Sequence, residues 1–277
     1  MNPRFLASTL LSLSRVVSAT SSSTCPAVAR TTLRPTGNLL KTCSAIHNPQ
    51  QSSSFSTSSP SSSSQRNTTT TTTTTKDMSA TLLEAFKGRR SIYQLTKDLP
   101  IPKEKITSIV QEALIQVPSS FNSQSNRLVV LYGAEHDKLW DIATSTLKAI
   151  VPADQWESTA GRMAGFKGAA GTVLCYVDQP TVAGMQEKFT AYKDRFPTWG
   201  EHSIAMLQFA LWTTLEAEGL GANLQHYNPL IDAQVAKEWG IPETWTLTAQ
   251  LVFGGKGAEA GNKEHKPLSE TFKVFGA

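Results

Sequence analysis

The sequence predicts an α+β fold, on three observations. Most of residues 77–277 carries apolar side chains at helical spacing, a few short runs read instead as strands set between the helices, and about 200 residues suffice for one domain with a sizeable core. The first helix opens near Ser79 and closes at Arg89-Arg90-Ser91, with Leu82, Leu83 and Phe86 on one face. Pro102 suits the first position of a second helix over 103–116, because its fixed φ is already helical and its missing N–H has no partner to lose there. Ile106, Ile109, Val110 and Leu114 share one side of that helix. Residues 127–132 read as a strand. Helices are expected over 135–150, from Pro152 onward and over 182–194, with a strand at 172–177 between the last two. The segment 200–218 has the strongest helical pattern, through Ile204, Leu207, Leu211 and Leu215, and Gly219 stops it. A helix over 229–239 follows, and 246–253 is the final strand, since Leu247, Ala249, Leu251 and Phe253 alternate with polar neighbours.

Composition divides the chain near Asp77. Residues 1–76 contain no Asp or Glu, but carry seven cations (Arg4, Arg15, Arg30, Arg34, Lys41, Arg66 and Lys76) and long Ser/Thr runs. Such an acid-free, Arg- and Ser-rich stretch is expected to be a disordered mitochondrial transit leader with a Ser/Thr-rich linker. Its apolar stretch at 5–17 is interrupted by Ser8, Thr9, Ser12, Ser14 and Arg15, so no membrane span is expected. A secretory signal fits less well, because arginines continue past the apolar stretch and no paired-cysteine framework follows. Met78-Ser79-Ala80 offers an internal start, which would give a cytosolic or nuclear short form beside the mitochondrial long one.

The 26 basic residues less the leader's seven leave 19 against 22 acidic ones in the remainder, a net of about −3. The basic isoelectric point of about 8.9 therefore belongs to the leader, and nothing supports nucleic-acid binding by the folded part. Cys25 and Cys43 lie in the leader, and Cys175, inside the apolar run 172–177, reads as a buried strand thiol. Gly219 and Gly221 follow a helix and lack the third glycine, since Leu224 stands there, which excludes a dinucleotide fingerprint. Lys256 is followed by Gly257 rather than Ser or Thr, which excludes a P-loop.

Four polar clusters remain. Pro118-Ser119-Ser120-Phe121-Asn122-Ser123-Gln124 puts five small polar side chains in seven residues directly after a helix, a composition suited either to a turn or to holding something polar. The others are Arg89-Arg90-Ser91, Gln225-His226 and Lys263-Glu264-His265. In this order, and with the run Gly-Ala-Asn-Leu-Gln-His-Tyr-Asn-Pro at 221–229, the chain resembles the FMN-dependent nitroreductase family, in its short fungal and bacterial branch.

The resemblance implies a central mixed or antiparallel sheet flanked by helices, completed by homodimerisation with FMN at the dimer interface. It assigns Arg89, Arg90 and Ser91 to the phosphate and ring, where a guanidinium fork and a hydroxyl suit a phosphate dianion. Lys263 and His265 match a second basic pair, usually Lys-x-Arg; the histidine keeps a hydrogen bond and loses the permanent charge. Gln225 and His226 would face the N5 or dimethylbenzene side of the ring, where many members carry Glu-Gly. Pro118, Ser119, Ser120, Asn122 and Gln124 would reach the flavin from the partner protomer. Phe121, Phe166, Phe196, Trp199 and Tyr227 are candidates either for the cleft above the ring or for packing. The implied activity is NADH- or NADPH-dependent ping-pong hydride transfer to a nitroaromatic, quinone or similar acceptor, in a branch associated with oxidative stress and lipid signalling. Such chemistry belongs to the cofactor and requires no protein nucleophile, general base or metal set. A flavin-binding redox or lipid regulator and an FMN-free interaction domain are the alternatives, separated by nicotinamide oxidation and by colour.

Overall fold

The computed structural model describes residues 78–277; the expectations for the leader and for Cys25 and Cys43 lie outside them. In chain order the elements are α1 (Met78–Gly88), β1 (Leu95–Thr96), α2 (Lys103–Gln116), β2 (Asn126–Tyr132), α3 (Gly133–Lys148), α4 (Ala153–Lys167), β3 (Gly171–Asp178), α5 (Gln179–Lys188), α6 (Phe196–Ala217), β4 (Gly221–Gln225), α7 (Asp232–Trp239), β5 (Trp245–Lys256) and α8 (Leu268–Thr271). The fold is α+β, as the sequence predicts. Every strand pair is antiparallel, in the order β1-β5-β3-β2 with β4 also on β5, so the twelve-residue β5 joins three other strands.

Successive residues of β3 enter opposite cores, as the two-residue period of a strand dictates. Val173, Cys175 and Val177 pack beneath α2, α5 and α6 with Ile106, Val182, Leu207 and Leu211, whereas Leu174 and Tyr176 pack beneath α3, α4 and α7 with Trp140, Phe166 and Val235. All eight residues of β3 are buried, which explains their nearly unbroken apolar reading. Burial pushes the Cys175 thiol up to about 12, so near neutral pH it is a packed, protonated side chain and no nucleophile.

The differences from the expected elements have local causes. Pro102 is the extended residue before α2 rather than its first helical residue. The expected helix over 182–194 ends at Lys188, because Phe189 leaves helical geometry (φ −126°, ψ 65°) and a 3-10 stretch, Thr190–Arg195, follows. That departure puts the Phe189 ring 4.8 Å from Phe121 and 6.0 Å from Phe196. α6 then starts at Phe196 rather than Gly200, with Pro197 in its first turn, and α7 starts at Asp232 rather than Pro229. β1 and β4 had no strand-like pattern to announce them. β1 is two residues long, and β4 carries the polar Asn223 and Gln225 along a strand that rests on β5. At Gly254 no side chain is possible, since a Cβ would lie 2.3 Å from the Thr96 carbonyl oxygen and 3.0 Å from the Ala170 nitrogen.

Under α3 and α4 the sheet carries one buried polar relay. The Trp140 indole N–H donates to Thr172 Oγ1 (3.2 Å), which leaves the Thr172 hydroxyl proton for His136 Nδ1 (2.9 Å), and His136 Nε2–H donates to the Phe166 carbonyl (3.1 Å). This pattern fixes a neutral imidazole with its proton on Nε2. Burial is the main cause holding His136 below the ordinary histidine value. A group with a depressed folded value takes up protons more readily when unfolded. Its contribution is therefore complete above about pH 6.5 and is lost as pH falls from there through the lower folded value. Urea midpoints should fall between about pH 7.5 and pH 5.5. Thr172→Val keeps the volume but strips the indole and imidazole of their shared partner, so it should lower the unfolding free energy by about 1–3 kcal/mol at neutral pH.

Candidate functional site

The chain turns extended as soon as α1 ends, so Arg89, Arg90 and Ser91 lie just past the helix rather than in its last turn. β4 holds them there. Ser91 forms an isolated parallel bridge with Ala222, the Ile92 N–H donates to the Ala222 carbonyl (3.0 Å), and Asn223 Nδ2 donates to the Ile92 carbonyl (2.8 Å). Gln225 Nε2 in turn donates to Asn223 Oδ1 (2.8 Å), so the Arg-Arg-Ser segment and Gln225 are joined through one buried asparagine. His226 follows in the loop, exposed.

The Arg89 guanidinium lies 4.3 Å over the Trp212 ring of α6, and its Nε is buried with no hydrogen-bond partner, as is the Trp212 indole nitrogen. Burial first, and then the charge of Arg90, push the Arg89 value down, with Glu216 opposing them. An arginine remains a cation regardless. Glu216 is engaged by Lys256 (2.8 Å), and Arg89 forms no ion pair among the described residues. Arg90 Nη2 donates to the Gly261 carbonyl (2.5 Å), which anchors the end of the chain beside this corner. Lys263 is two residues beyond Gly261, within about 7 Å of it along the backbone. Lys263 and His265 are exposed there. Two of the four clusters are thus joined, and the stretch that leads to the third is tied to Arg90.

The fourth stands apart. After α2, residues 118–124 form a 3-10 turn, Ser120–Asn122, with left-handed φ at Phe121 (56°), Asn122 (51°) and Gln124 (52°). A left-handed phenylalanine costs on the order of 1–3 kcal/mol, so neighbouring contacts must hold it. Ser203 Oγ of α6 accepts from the Ser120 N–H (3.2 Å), and Ser119 Oγ accepts from the Gln124 N–H (2.9 Å). The Phe121 ring stacks on Trp199 (5.6 Å) and meets Phe189, Tyr192 and Phe196. Asn122 and Gln124 point into solvent, and Pro118 is exposed.

α6 measures the separation. Ser203 and Trp212 are nine residues apart, which is about 13 Å along the axis and half a turn around it. Within one protomer the two halves therefore occupy opposite faces of the same helix. Trp212, Asn223 and Ser203, which organise them, went unassigned in the sequence, where a tryptophan and a serine on a helix give no sign of what packs on them. Asn223 alone had a signal, as the polar residue inside the 221–229 run.

The Nitroreductase family model matches residues 86–255. The chain belongs to the nitroreductase family. It is 39% identical over 188 residues to HBN1 of Saccharomyces cerevisiae, spanning 67% of this chain and 93% of that protein. It is 34% identical to the nitroreductase FRM2 of the same yeast, spanning 62% of this chain and 86% of FRM2. Among solved structures it superimposes on the nitroreductase CinD from Lactococcus lactis, in complex with nicotinic acid, with a TM-score of 0.66 and 44% identity over 70% of this chain and 99% of CinD.

In this nitroreductase Tyr227 and Phe166 are core residues, with rings 5.7 and 4.8 Å from Trp140, whereas Phe121, Phe196 and Trp199 belong to the aromatic cluster beside the 118–124 turn. Lys167 is held by Asp141 (2.6 Å) on the α3 and α4 side. Asn223→Ala should destabilise the protein by about 1–3 kcal/mol, because it leaves the Ile92 carbonyl and the Gln225 amide unpaired. It should also speed amide exchange at Ile92, measurable by hydrogen–deuterium exchange.

Proposed function

We propose that this nitroreductase is an FMN-dependent NAD(P)H oxidoreductase. The observation that carries the reading is Arg89: a cation stacked on Trp212, with an unspent buried Nε, beside Arg90 and Ser91 and near the anchored stretch bearing Lys263. That set consists of donors and cations, with its nearest carboxylate, Glu216, committed to Lys256, so it fits a phosphate dianion. Arg89, Arg90, Ser91 and Lys263, with His265 as a neutral donor, would hold the phosphate end, and Gln225 and His226 would lie along the ring edge. When bound, FMN supplies the redox chemistry, accepting hydride from a reduced nicotinamide and delivering electrons to the acceptor in a separate half-reaction. The residues' task is to bind and orient, with Trp212 fixing the plane of the Arg89 fork and Asn223 fixing Gln225.

The site is completed by a second copy. Met206 and Phe209 of α6 and Leu82 and Leu83 of α1 are exposed in the protomer, and the C-terminal stretch exposes Leu268, Phe272, Val274 and Phe275, the last by 88%. So much unpaired apolar surface on two helices and a tail suits a homodimer interface. In it, Ser119, Ser120, Asn122 and Gln124 of each copy approach the other copy's Arg89 corner. The aromatic cluster around Phe121 then lies at the mouth of the site and suits flat acceptors such as nitroaromatics and quinones. Structures of CinD with chloramphenicol and with 4-nitrophenol, each 42% identical to this chain, support that acceptor class. In this reading the activity serves an oxidative-stress or lipid-signalling response.

No helix among the described residues is long and apolar enough to cross a membrane. Residues 1–76 act, in this proposal, as a mitochondrial leader, and translation from Met78 gives a cytosolic or nuclear form. A C-terminally tagged full chain should be shortened and mitochondrial; an uncut, diffuse product would end the leader assignment.

Purified full chain should show visible flavin bands that bleach on anaerobic addition of NADH or NADPH and return with 4-nitrophenol or a quinone. Arg89→Ala should raise the FMN dissociation constant about tenfold or more. A chain that cannot be reconstituted with FMN would sink the reading, and bound flavin that no nicotinamide reduces would favour a regulatory flavoprotein.

A further inference from the structure

A cleft of about 620 Å³ opens between α7 and the start of β5, walled by Asp232, Lys237, Ile241, Glu243 and Trp245. It lies on the α3, α4 and α7 side of the sheet, whereas α6 lies on the other. Trp245 is eight residues along β5 from Phe253, the partner of Ala222 beside Ser91, or about 26 Å at strand spacing. The cleft is therefore separate from the Arg89 corner.

Two buried polar atoms lack partners here, one on the cleft wall at Asp232 and one packed behind it at Tyr176. Asp232 Oδ1 is buried with no hydrogen bond, and so is the hydroxyl of Tyr176, a residue only 3% exposed. Tyr176 stands 6.0 Å from Trp245, ring to ring, and feels the Asp232 charge, so both orphans belong to the same end of the molecule. Burial also holds the Asp232 carboxyl above the ordinary aspartate range. Neighbouring cations do not answer this need. Arg127 lies 5.7 Å over Trp245 but is held by Asp178 at 2.7 Å, and Lys237 forms no ion pair among the described residues. A bulge turns the start of β5 to this side: the β3–β5 register jumps from Cys175↔Ala249 to Tyr176↔Leu247, the extra Thr248 donates to the Cys175 carbonyl (3.0 Å), and Leu247 joins the α3, α4 and α7 side while Ala249 stays on the other.

Buried polar groups are normally satisfied, and an unmet carboxylate oxygen accepts only from a donor. Two carboxylates against one lysine give the wall a net negative charge, and an indole face favours cations. We propose that this cleft is a second ligand site, distinct from the flavin site, for a small organic cation: a primary ammonium on a short aromatic or aliphatic body. The ammonium donates to the Asp232 carboxylate, and the body packs on Trp245 and Ile241.

The test is titration of nitrogen-labelled full chain, as purified, with phenethylammonium, following the indole N–H of Trp245 by NMR, assigned from the Trp245→Phe spectrum. The neutral isostere 2-phenylethanol is run beside it. We expect a saturating shift at Trp245 with a dissociation constant of about 1 mM or below, about tenfold weaker binding of the alcohol, and about tenfold weaker ammonium binding in Asp232→Asn. No saturating shift at Trp245, or equal binding of ammonium and alcohol, overturns the proposal. So does an Asp232→Asn protein that keeps its thermal midpoint and binds as well as the parent. If that variant fails to fold, the comparison of ammonium with alcohol on the unmodified chain decides. The readout is at Trp245, so it stands whether or not the flavin reading holds.

Discussion

The molecule is arranged around the burial of α6. One stripe of this 22-residue helix, through Ile204, Leu207, Leu211 and Leu215, is essentially removed from water against β3 and β5. Each such side chain is worth about 1.5–3 kcal/mol, which fixes both the position and the rotation of the helix. Once that rotation is set, Ser203 and Trp212 have no freedom left. One must meet the 118–124 turn and the other Arg89, on opposite sides. A second stripe, Met206 and Phe209, remains apolar where α1 only partly covers it, and this is the surface that the proposed homodimer would bury.

The two halves of the candidate site store their capacity differently. The Arg89 corner stores it as unmet hydrogen bonding, in a guanidinium and an indole that are buried and unpaired. The 118–124 turn stores it as backbone geometry, three left-handed residues pinned by two serine hydroxyls and an aromatic cluster. Either alone is a local cost. In the proposed homodimer, opposed across a two-fold axis, the same features would form a cationic donor corner facing a row of small polar side chains with aromatic walls, an arrangement suited to a flavin phosphate and ring.

What could be read in the sequence follows from the range of the forces involved. α2, α6, β3 and β5 were visible because their apolar periodicity is imposed by the core over many residues. The ends of α5 and α7 and the strands β1 and β4 were not, because they are fixed by contacts distant in sequence: Phe189 with Phe121, Ser91 with Ala222, Leu95 with Lys256. At the site, Arg89, Ser91 and Gln225 stood out as polar residues within motif runs. Trp212 and Ser203 did not, since their roles exist only once α6 is packed. Nothing in the sequence hints at the Asp232 cleft either, because the start of β5, with Trp245, is turned to it by a register jump on that strand.

The central claim, that each site takes its cationic corner from one copy and its polar turn from the other, is tested most directly by mixed dimers. Protomers carrying Arg89→Ala and protomers carrying Asn122→Ala with Gln124→Ala are co-expressed with different tags, and the heterodimer is isolated and its FMN content measured. The account predicts that both lesions fall into one site and leave the other native, so the heterodimer holds about half the flavin of the parent while each variant homodimer holds much less. A heterodimer as depleted as the homodimers would place both halves of each site within a single protomer and contradict the account.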